Sequence, residues 1–128
     1  MQIGEVAVEQ REPRRFVGGL APWQLRRVLD YVEANLASDP SISAIAAECK
    51  LSSSHFAYAF RQTMGEAPHR WLTKRRVERA KQLLRETETG LADIAVQCGL
   101  CNQSHLARVF ARAVGCGPGN WRKLHRAL

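Results

Sequence analysis

The stretch from Ile45 to Trp71, IAAECKLSSSHFAYAFRQTMGEAPHRW, decides the fold because a second version of it follows in the same chain. That version runs from Ile94 to Trp121 and reads IAVQCGLCNQSHLARVFARAVGCGPGNW. A repeat of this length indicates one supersecondary unit used twice. Ten identical pairs set the alignment: Ile45/Ile94, Ala46/Ala95, Cys49/Cys98, Leu51/Leu100, His55/His105, Ala57/Ala107, Phe60/Phe110, Gly65/Gly115, Pro68/Pro118 and Trp71/Trp121.

Within each copy the apolar residues recur with the period of a helix rather than of a strand. The first copy predicts a short helix over about Ile42–Cys49, a tight turn, and a second helix that ends near Met64 before Gly65. The second copy predicts the same elements over about Leu91–Cys98 and Gln103–Val114. A short helix, a turn and a second helix are typical of a helix-turn-helix motif. Ser52 is the expected N-cap of one second helix, and the cap of the other stays open.

Three further helices complete the predicted architecture. Pro22–Leu36 is amphipathic, Pro68–Glu86 links the two motifs, and Gly119–Ala127 closes the second. The sequence therefore predicts an all-α fold of about seven helices, with two helix-turn-helix subdomains joined by a long helix. The division is 1–19 as a tail or linker, 20–67 as the first subdomain, 68–87 as the connecting helix and 88–128 as the second subdomain. Residues predicted to be buried on the first helix are Trp23, Val28, Leu29, Val32 and Leu36.

Size and charge limit what the chain can do. It has 128 residues and a formal charge of +7, which excludes a TIM barrel and favours a polyanionic partner. Residues 1–60 hold six bases and seven acids, whereas residues 61–128 hold 13 bases and five acids. Neither a signal-peptide pattern nor a run long enough to span a bilayer is present in the sequence given. We therefore expect a cytoplasmic protein that binds nucleic acid, with no membrane partner.

The second helix of a helix-turn-helix enters the major groove of DNA, where its exposed side chains meet base edges. Arg108 can pair bidentately with guanine and Gln103 with adenine. The first motif offers Tyr58 in the place of Arg108, so it is expected to discriminate more weakly. The serines of this face are equally able to cap their helices. The predicted base contacts are Ser54, Ala57 and Tyr58 in the first motif, and Gln103, Ser104, Ala107 and Arg108 in the second.

Phosphate contacts are predicted beside these base contacts. The connecting helix carries seven bases between residues 70 and 85 with a single acid, Glu78, which favours contact with the DNA backbone over a merely solvated face. Two motifs on one chain suggest an asymmetric site about two turns long, with recognition helices in successive major grooves. The predicted phosphate partners are Ser52, Arg61, Arg75, Arg76 and Arg112.

These motifs, together with the joining segment RRVERAKQLL (Arg75 to Leu84), resemble the DNA-binding domain of the AraC/XylS family of bacterial transcription regulators. The resemblance spans about Pro22 to Leu124. It implies sequence-specific binding to promoter DNA in the nucleoid and contact with RNA polymerase. It further implies that a small-molecule effector acts only through a sensor domain, which nothing before Pro22 could form. The chain is then either the DNA-binding part of a longer regulator or a short member acting alone. The stretch GGLAPWQL (Gly18 to Leu25), which resembles the family's junction between linker and first helix, favours the former. As such a fragment it is expected to be a monomer.

Several residues also fit other kinds of site. Cys98-x-x-Cys101 could belong to a zinc site, but only one such pair is present and Cys98 repeats the apolar position of Cys49, which favours buried thiols. The three tryptophans are expected to pack in cores rather than to stack on bases. No motif of an enzyme or of a bound cofactor is present, so no catalysis, cofactor or metal is expected. The alternative function is a protein-interaction adaptor that contacts RNA polymerase with weak or no specific DNA binding.

Overall fold

The computed structural model describes residues 18–126, and this part of the chain is all-α, as predicted. The predicted residues 1–17 of the tail, and residues 127–128, lie outside the described residues. None of the helices in residues 18–126 has the length and apolar character needed to cross a bilayer. The seven α-helices are α1 Pro22–Asn35, α2 Ile42–Glu48, α3 Ser53–Met64, α4 Pro68–Glu86, α5 Leu91–Gln97, α6 Gln103–Val114 and α7 Pro118–Arg126, and a 3-10 helix over Leu36–Ser38 extends α1.

Local sequence signals explain where these helices begin and end. Pro22, Pro68 and Pro118 each occupy a first helical position, where a missing backbone N–H costs nothing. Gly65 and Gly115 end α3 and α6 in the left-handed region, with φ of 81° and 99°. Their backbone N–H groups donate to the carbonyl oxygens of Arg61 and Ala111, both at 2.8 Å. The two copies of the repeat therefore share their helix stops.

Internal contacts divide the described chain into two units. Among the described residues, the first unit holds 18–31 and 42–68, and the second holds 32–41 and 69–126. This differs from the division expected from the sequence, in which residues 32–41 belonged to the first subdomain and α4 was a separate connector. The end of α1, the 3-10 helix and most of α4 are instead parts of the second unit.

The core of the first unit forms where α2 packs against α3. Phe56 and Phe60 are fully buried, with ring centroids 5.5 Å apart, and Ile45 is buried with them. The Gln24 side chain donates to the carbonyl oxygen of Cys49 at 3.1 Å, which ties α1 to the end of α2. The predicted helix-turn-helix is therefore closed by a third helix within the same unit.

The predicted buried face of α1 is partly wrong. Val28, Val32 and Leu36 are buried, but Trp23 is 53% exposed and Leu29 is 39% exposed. The buried residues follow one another at four-residue intervals and so form one stripe on the helix. At about 100° per residue, Leu29 lies about 60° from Val32, at the margin of the stripe, and Trp23 lies about 180° from Val32, on the opposite side of the helix. The expectation that all three tryptophans pack in cores is accordingly wrong for Trp23, whereas Trp71 is half-buried and Trp121 is buried.

The core of the second unit gathers residues from α4, α5, α6 and α7. Phe110 meets Trp121 edge to face with ring centroids 5.7 Å apart, and the His125 ring stacks on Trp121 with centroids 3.9 Å apart. Arg122 extends from α7 to the end of α4, where its guanidinium donates to three backbone carbonyl oxygens. The buried members of this core are Val77, Ala80, Leu84, Ile94, Ala95, Cys98, Leu100, Leu106, Phe110 and Trp121, and the carbonyls that Arg122 binds are those of Leu83, Leu84 and Thr87.

The cysteines divide into buried and accessible thiols. Cys49 and Cys98 are fully buried, whereas Cys101 is exposed, so the two members of the Cys98-x-x-Cys101 pair lie in different environments. Burial raises the pKa of Cys98 to about 11, although Arg79 and Arg76 lower it in part. Burial, with Glu48, also raises the pKa of Cys49. Across residues 18–126 no three His, Cys, Asp or Glu side chains come together as a group that could hold a metal ion.

We predict that a thiol reagent at pH 8 modifies native Cys101 at least tenfold faster than Cys98 or Cys49. Only the thiolate reacts, and both burial and a raised pKa keep the Cys98 thiol protonated and covered. Mass spectrometry after brief alkylation measures the modification of each residue. Alkylation in denaturant is the control, because unfolding should make all the rates similar. Equal rates in the native protein would contradict the burial described above.

A close backbone approach fixes the turn of the second motif. Gly99 has φ +79°, and a Cβ placed on it would lie 2.3 Å from the carbonyl oxygen of Leu36. No side chain fits at that distance, because a carbonyl of the 3-10 helix cannot swing aside as the end of a side chain can. Glycine is therefore required at this position for space as well as for conformation.

Replacing Gly99 with alanine should lower the free energy of unfolding by about 2–5 kcal/mol. Left-handed strain contributes about 1–2 kcal/mol and displacement of packed backbone about 1–3 kcal/mol. Gly115→Ala is the matched control, because Gly115 also has positive φ but has no atom within 4 Å of its would-be Cβ. Chemical denaturation of both variants tests this, and equal losses would show that the Leu36 carbonyl imposes no constraint.

Candidate nucleic-acid interface

Helix α3 presents the predicted base-contact residues of the first motif. Ser54 and Tyr58 are exposed and Ala57 is half-buried, so all three are accessible on one side of the helix. The opposite side buries Phe56 and Phe60. The helix is fixed at its start by Ser52, whose hydroxyl oxygen accepts a hydrogen bond from the His55 backbone N–H at 3.1 Å, as the sequence predicted.

Helix α6 presents the corresponding residues of the second motif. Gln103, Ser104 and Arg108 are exposed, and Ala107 is half-buried like its counterpart Ala57. Asn102 is the N-cap that the sequence left open, because its side-chain oxygen accepts from the His105 backbone N–H at 2.9 Å. Asn and Ser are both strong N-cap residues, so the two motifs start their second helices in the same way.

The two helix faces differ in hydrogen-bonding capacity. On α6 a guanidinium and an amide lie on the exposed side, and each can make two hydrogen bonds to one base. Among the predicted base contacts of α3 the largest is Tyr58, which is 57% exposed and carries a single hydroxyl. The exposed chemistry is consistent with stronger discrimination by α6.

Among the predicted phosphate partners, the residues on the two motifs remain accessible. Arg61 and Arg112 are exposed in the last turns of α3 and α6. Ser52 caps α3 through its oxygen but keeps its hydroxyl proton, which is free to donate to an acceptor such as a phosphate. All three residues are exposed and therefore stay in the predicted set of phosphate partners.

Arg75 lies on α4 beside an acid that the sequence did not connect with it. Its guanidinium is 3.3 Å from the Glu33 carboxylate of α1, and both side chains are largely exposed. Exposed ion pairs of this kind contribute only about 0–1 kcal/mol, so a phosphate can replace the carboxylate at little cost. Lys81 makes a similar contact with Glu78. The bases of α4 are therefore partly balanced by acids rather than presented as a face of one sign.

Arg76, also a predicted phosphate partner, lies inside the second unit rather than on its surface. Its side chain is only 9% exposed, and its guanidinium pairs with the carboxylate of Asp39, just after the 3-10 helix. Its Nε is buried and has no hydrogen-bond partner among the described residues. The chain between Leu36 and Ser41 turns back so that Asp39, in the left-handed region at φ 53°, faces α4. Arg76 is a structural residue of the second unit.

Two long-range contacts, one on α3 and one at the end of α4, could not be predicted from the repeated sequence. The segment before α1 lies along α3, because the Leu20 backbone N–H donates to the Thr63 hydroxyl at 2.8 Å. In the second unit, the C-terminal arginines of α7 bind the end of α4, with Arg126 joining Arg122 at the Thr87 carbonyl. Both contacts join residues more than 30 positions apart, so no local pattern could have shown them.

Comparison with known proteins identifies the family. The model of a helix-turn-helix domain family matches residues 45–124, which covers both motifs and α4. The chain belongs to the AraC/XylS family. It is an AraC-type helix-turn-helix domain of a DNA-binding transcription regulator, as its sequence predicted.

Individual relatives agree with this assignment. A probable transcriptional regulator, LumQ of Photobacterium leiognathi, is 30% identical over 73% of this chain, and the match covers 38% of LumQ. A putative AraC-like transcription regulator of Streptomyces antibioticus is 32% identical over 84% of this chain and 36% of its own length. The chain thus spans a little over one third of the length of each of these two relatives.

Solved structures of AraC-type domains resemble this one. The DNA-binding domain of AdpA, a global transcriptional factor crystallised with a target DNA, superposes with a TM-score of 0.77 at 29% identity, covering 81% of this chain and 94% of that domain. The C-terminal domain of AraT, a response regulator from Geobacillus stearothermophilus, gives a TM-score of 0.76 at 28% identity over 82% and 87%. Each match covers about four fifths of this chain.

The two arginines Arg76 and Arg112 should behave differently when replaced by alanine. Arg76→Ala should lower the free energy of unfolding by about 1–3 kcal/mol, because it removes a buried charged hydrogen-bond donor. It should leave the salt dependence of DNA binding unchanged. Arg112→Ala should leave stability nearly intact and reduce the magnitude of the slope of log K against log salt by about 0.9, the effect of one lost phosphate contact.

Denaturant titrations and binding isotherms at several salt concentrations measure both effects. The two variants serve as controls for each other, since each removes one arginine and the same charge. A reduced salt slope with unchanged stability for Arg76→Ala would restore Arg76 as a phosphate partner and overturn its structural role.

Proposed function

We propose that this AraC-type domain binds an asymmetric promoter site in double-stranded DNA, with α3 and α6 in successive major grooves. The observation that carries the proposal is the accessible face of α6, which combines Arg108 and Gln103 on a helix fixed by an Asn102 cap. Grooves on one side of the duplex recur about every 34 Å, so the site is about two turns long. Because the two helices carry different side chains, the two half-sites need not be related by symmetry.

Each accessible residue has a role in this scheme. Arg108 donates both arms to the O6 and N7 of a guanine, and Gln103 pairs with an adenine. The methyl groups of Ala57 and Ala107 pack on thymine methyls or allow a close approach of the helix. Ser54, Ser104 and Tyr58 make single hydrogen bonds. Phosphates are bound by Ser52, Arg61, Arg75 and Arg112, and Arg76 holds the second unit together instead.

The proposal also includes the longer regulator to which this domain belongs. The relatives are regulators of which this chain spans little more than a third, which supports a role as the DNA-binding part of a longer, effector-responsive protein. In that protein the effector acts through a sensor domain, and the bound domain contacts RNA polymerase. The DNA-binding fragment itself acts as a monomer in the nucleoid, and it has no enzymatic activity.

In vitro selection of bound DNA from a random library, followed by competition with unrelated DNA, tests the proposal. The selected sequence should bind at least a thousandfold more tightly than unrelated DNA at physiological salt. If the protein binds RNA polymerase but prefers no DNA sequence, the adaptor function is favoured and specific DNA binding is overturned.

Replacing Arg108 with alanine should relax the preference at one base pair while leaving the others intact. A bidentate arginine–guanine contact contributes about 1–3 kcal/mol of discrimination, so the preference there should fall by about 5- to 150-fold. Arg112→Ala, one turn further along the same helix, is the matched control and should weaken all sequences alike. Uniform losses from both variants would remove the base-reading role of Arg108.

A further inference from the structure

The segment immediately before α1 is attached to the flank of the recognition helix α3. Leu20 is buried, and its backbone N–H donates to the hydroxyl oxygen of Thr63 in the last turn of α3 at 2.8 Å. The next residue joins the same arrangement, since the Ala21 N–H donates to the Gln24 side chain at 2.9 Å. All of these residues belong to the first unit. The path of the chain at Gly18–Leu20 is thereby fixed relative to α3.

Gly18 comes close to Tyr58 on this path. A Cβ on Gly18 would lie 2.9 Å from the Cε2 of the Tyr58 ring and 3.3 Å from its hydroxyl oxygen. Gly18 also has φ +85°, a conformation that favours glycine. The ring therefore rests against the backbone of Gly18 on one side, although Tyr58 remains 57% exposed overall.

Tyr58 lies at the border between the outward face of α3 and this attached segment. At about 100° per residue, Ser54 is about 40° and Ala57 about 100° away from Tyr58 on one side, whereas Thr63 is about 140° away on the other. An exposed tyrosine on a helix can otherwise choose among several rotamers. Contact with Gly18 limits that choice before any ligand binds, and a side chain that is already ordered loses less entropy on binding.

We propose that Gly18 is a positioning residue for Tyr58, and that the segment Gly18–Leu20 thereby sets the base preference of the first half-site. The inference rests on the proposed function, in which Tyr58 reads a base. Gly18 does not touch the DNA in this scheme. Because Gly18 has no Cβ, the Tyr58 ring can lie against its backbone. The backbone in turn prevents the ring from rotating further towards the segment, so the hydroxyl points in one direction.

The chain offers a matched control for the backbone strain that any substitution at Gly18 introduces. Gly65 lies in the same unit with nearly the same φ, +81°, but a Cβ there meets nothing within 4 Å. Gly65→Ala therefore introduces left-handed strain without displacing a side chain. Gly18→Ala introduces the same strain and pushes away the Tyr58 ring, which can move because it is the free end of a side chain.

The experiment compares base preferences by selection and by competition binding for the 128-residue chain and its variants. Tyr58→Ala should lower the preference at its base pair by about fivefold. Gly18→Ala should alter the preference at the same base pair by about threefold and leave the α6 half-site unchanged. In the Tyr58→Ala background, Gly18→Ala should have no further effect on preference, because the two residues act through one contact. Gly65→Ala should lower the melting temperature as Gly18→Ala does, with no change in preference.

A second variant reaches the same segment without touching Gly18 or Tyr58. Thr63→Val is nearly isosteric but removes the acceptor for the Leu20 N–H, so it should release the segment and broaden the preference at the Tyr58 base pair.

The inference is overturned if Tyr58→Ala changes that preference while Gly18→Ala and Thr63→Val do not, or if Gly18→Ala weakens every sequence equally. Absence of any preferred sequence for the unmodified chain would instead overturn the proposed function, and a silent Tyr58→Ala would remove the reading role of Tyr58 and the positioning role with it.

Discussion

The second unit depends on the close approach of Gly99 to the carbonyl oxygen of Leu36. This approach places the turn of the second helix-turn-helix directly on the 3-10 helix that extends α1, and α5 packs against that helix. Arg76 reaches the same place from α4, since its Nε would lie 3.4 Å from a Cβ on Gly99 while its terminal nitrogen pairs with Asp39. Three parts of the chain that are distant in sequence are therefore fixed at one point, and the turn that leads into α6 is one of them.

The first copy of the repeat shows why this constraint belongs to the second unit alone. Lys50 occupies the position of Gly99 and also lies in the left-handed region, at φ 61°. Lys50 carries a Cβ and its side chain is exposed, so this turn accommodates a side chain at a modest conformational cost. Both turns thus require the same φ, and only the turn that rests on the Leu36 carbonyl also requires the absence of a Cβ. The duplicated motif has the same local geometry in two different tertiary settings.

Local signals explain what could be predicted from the sequence. Local signals act within a few residues: proline at helix starts, glycine at helix stops, the Ser52 cap and the four-residue spacing of Phe56, Phe60 and Met64. The helices agree with them to within one or two residues. The accessible faces of α3 and α6 follow from the same periodicity. The failures have a different origin. Arg76 pairs with Asp39, which lies 37 residues away, so no local pattern reveals that contact. Trp23 is apolar but lies on the opposite side of α1 from Val32, so residue type alone mispredicts its burial.

The contacts that the arginines make within the protein change how the positive charge of the chain should be interpreted. Residues 61–128 carry 13 bases, but several of these are held within the second unit. Arg122 and Arg126 bind backbone carbonyls at the end of α4, Arg85 lies 5.6 Å from the centroid of the Trp121 ring, and Arg76 is buried. An arginine on a carbonyl keeps its full charge, so it still contributes to the long-range attraction of a polyanion. It is not available for a direct phosphate contact. Net charge therefore overstates the number of contacts, and the salt dependence of binding should reflect the few arginines whose guanidinium groups remain exposed, rather than all 13 bases.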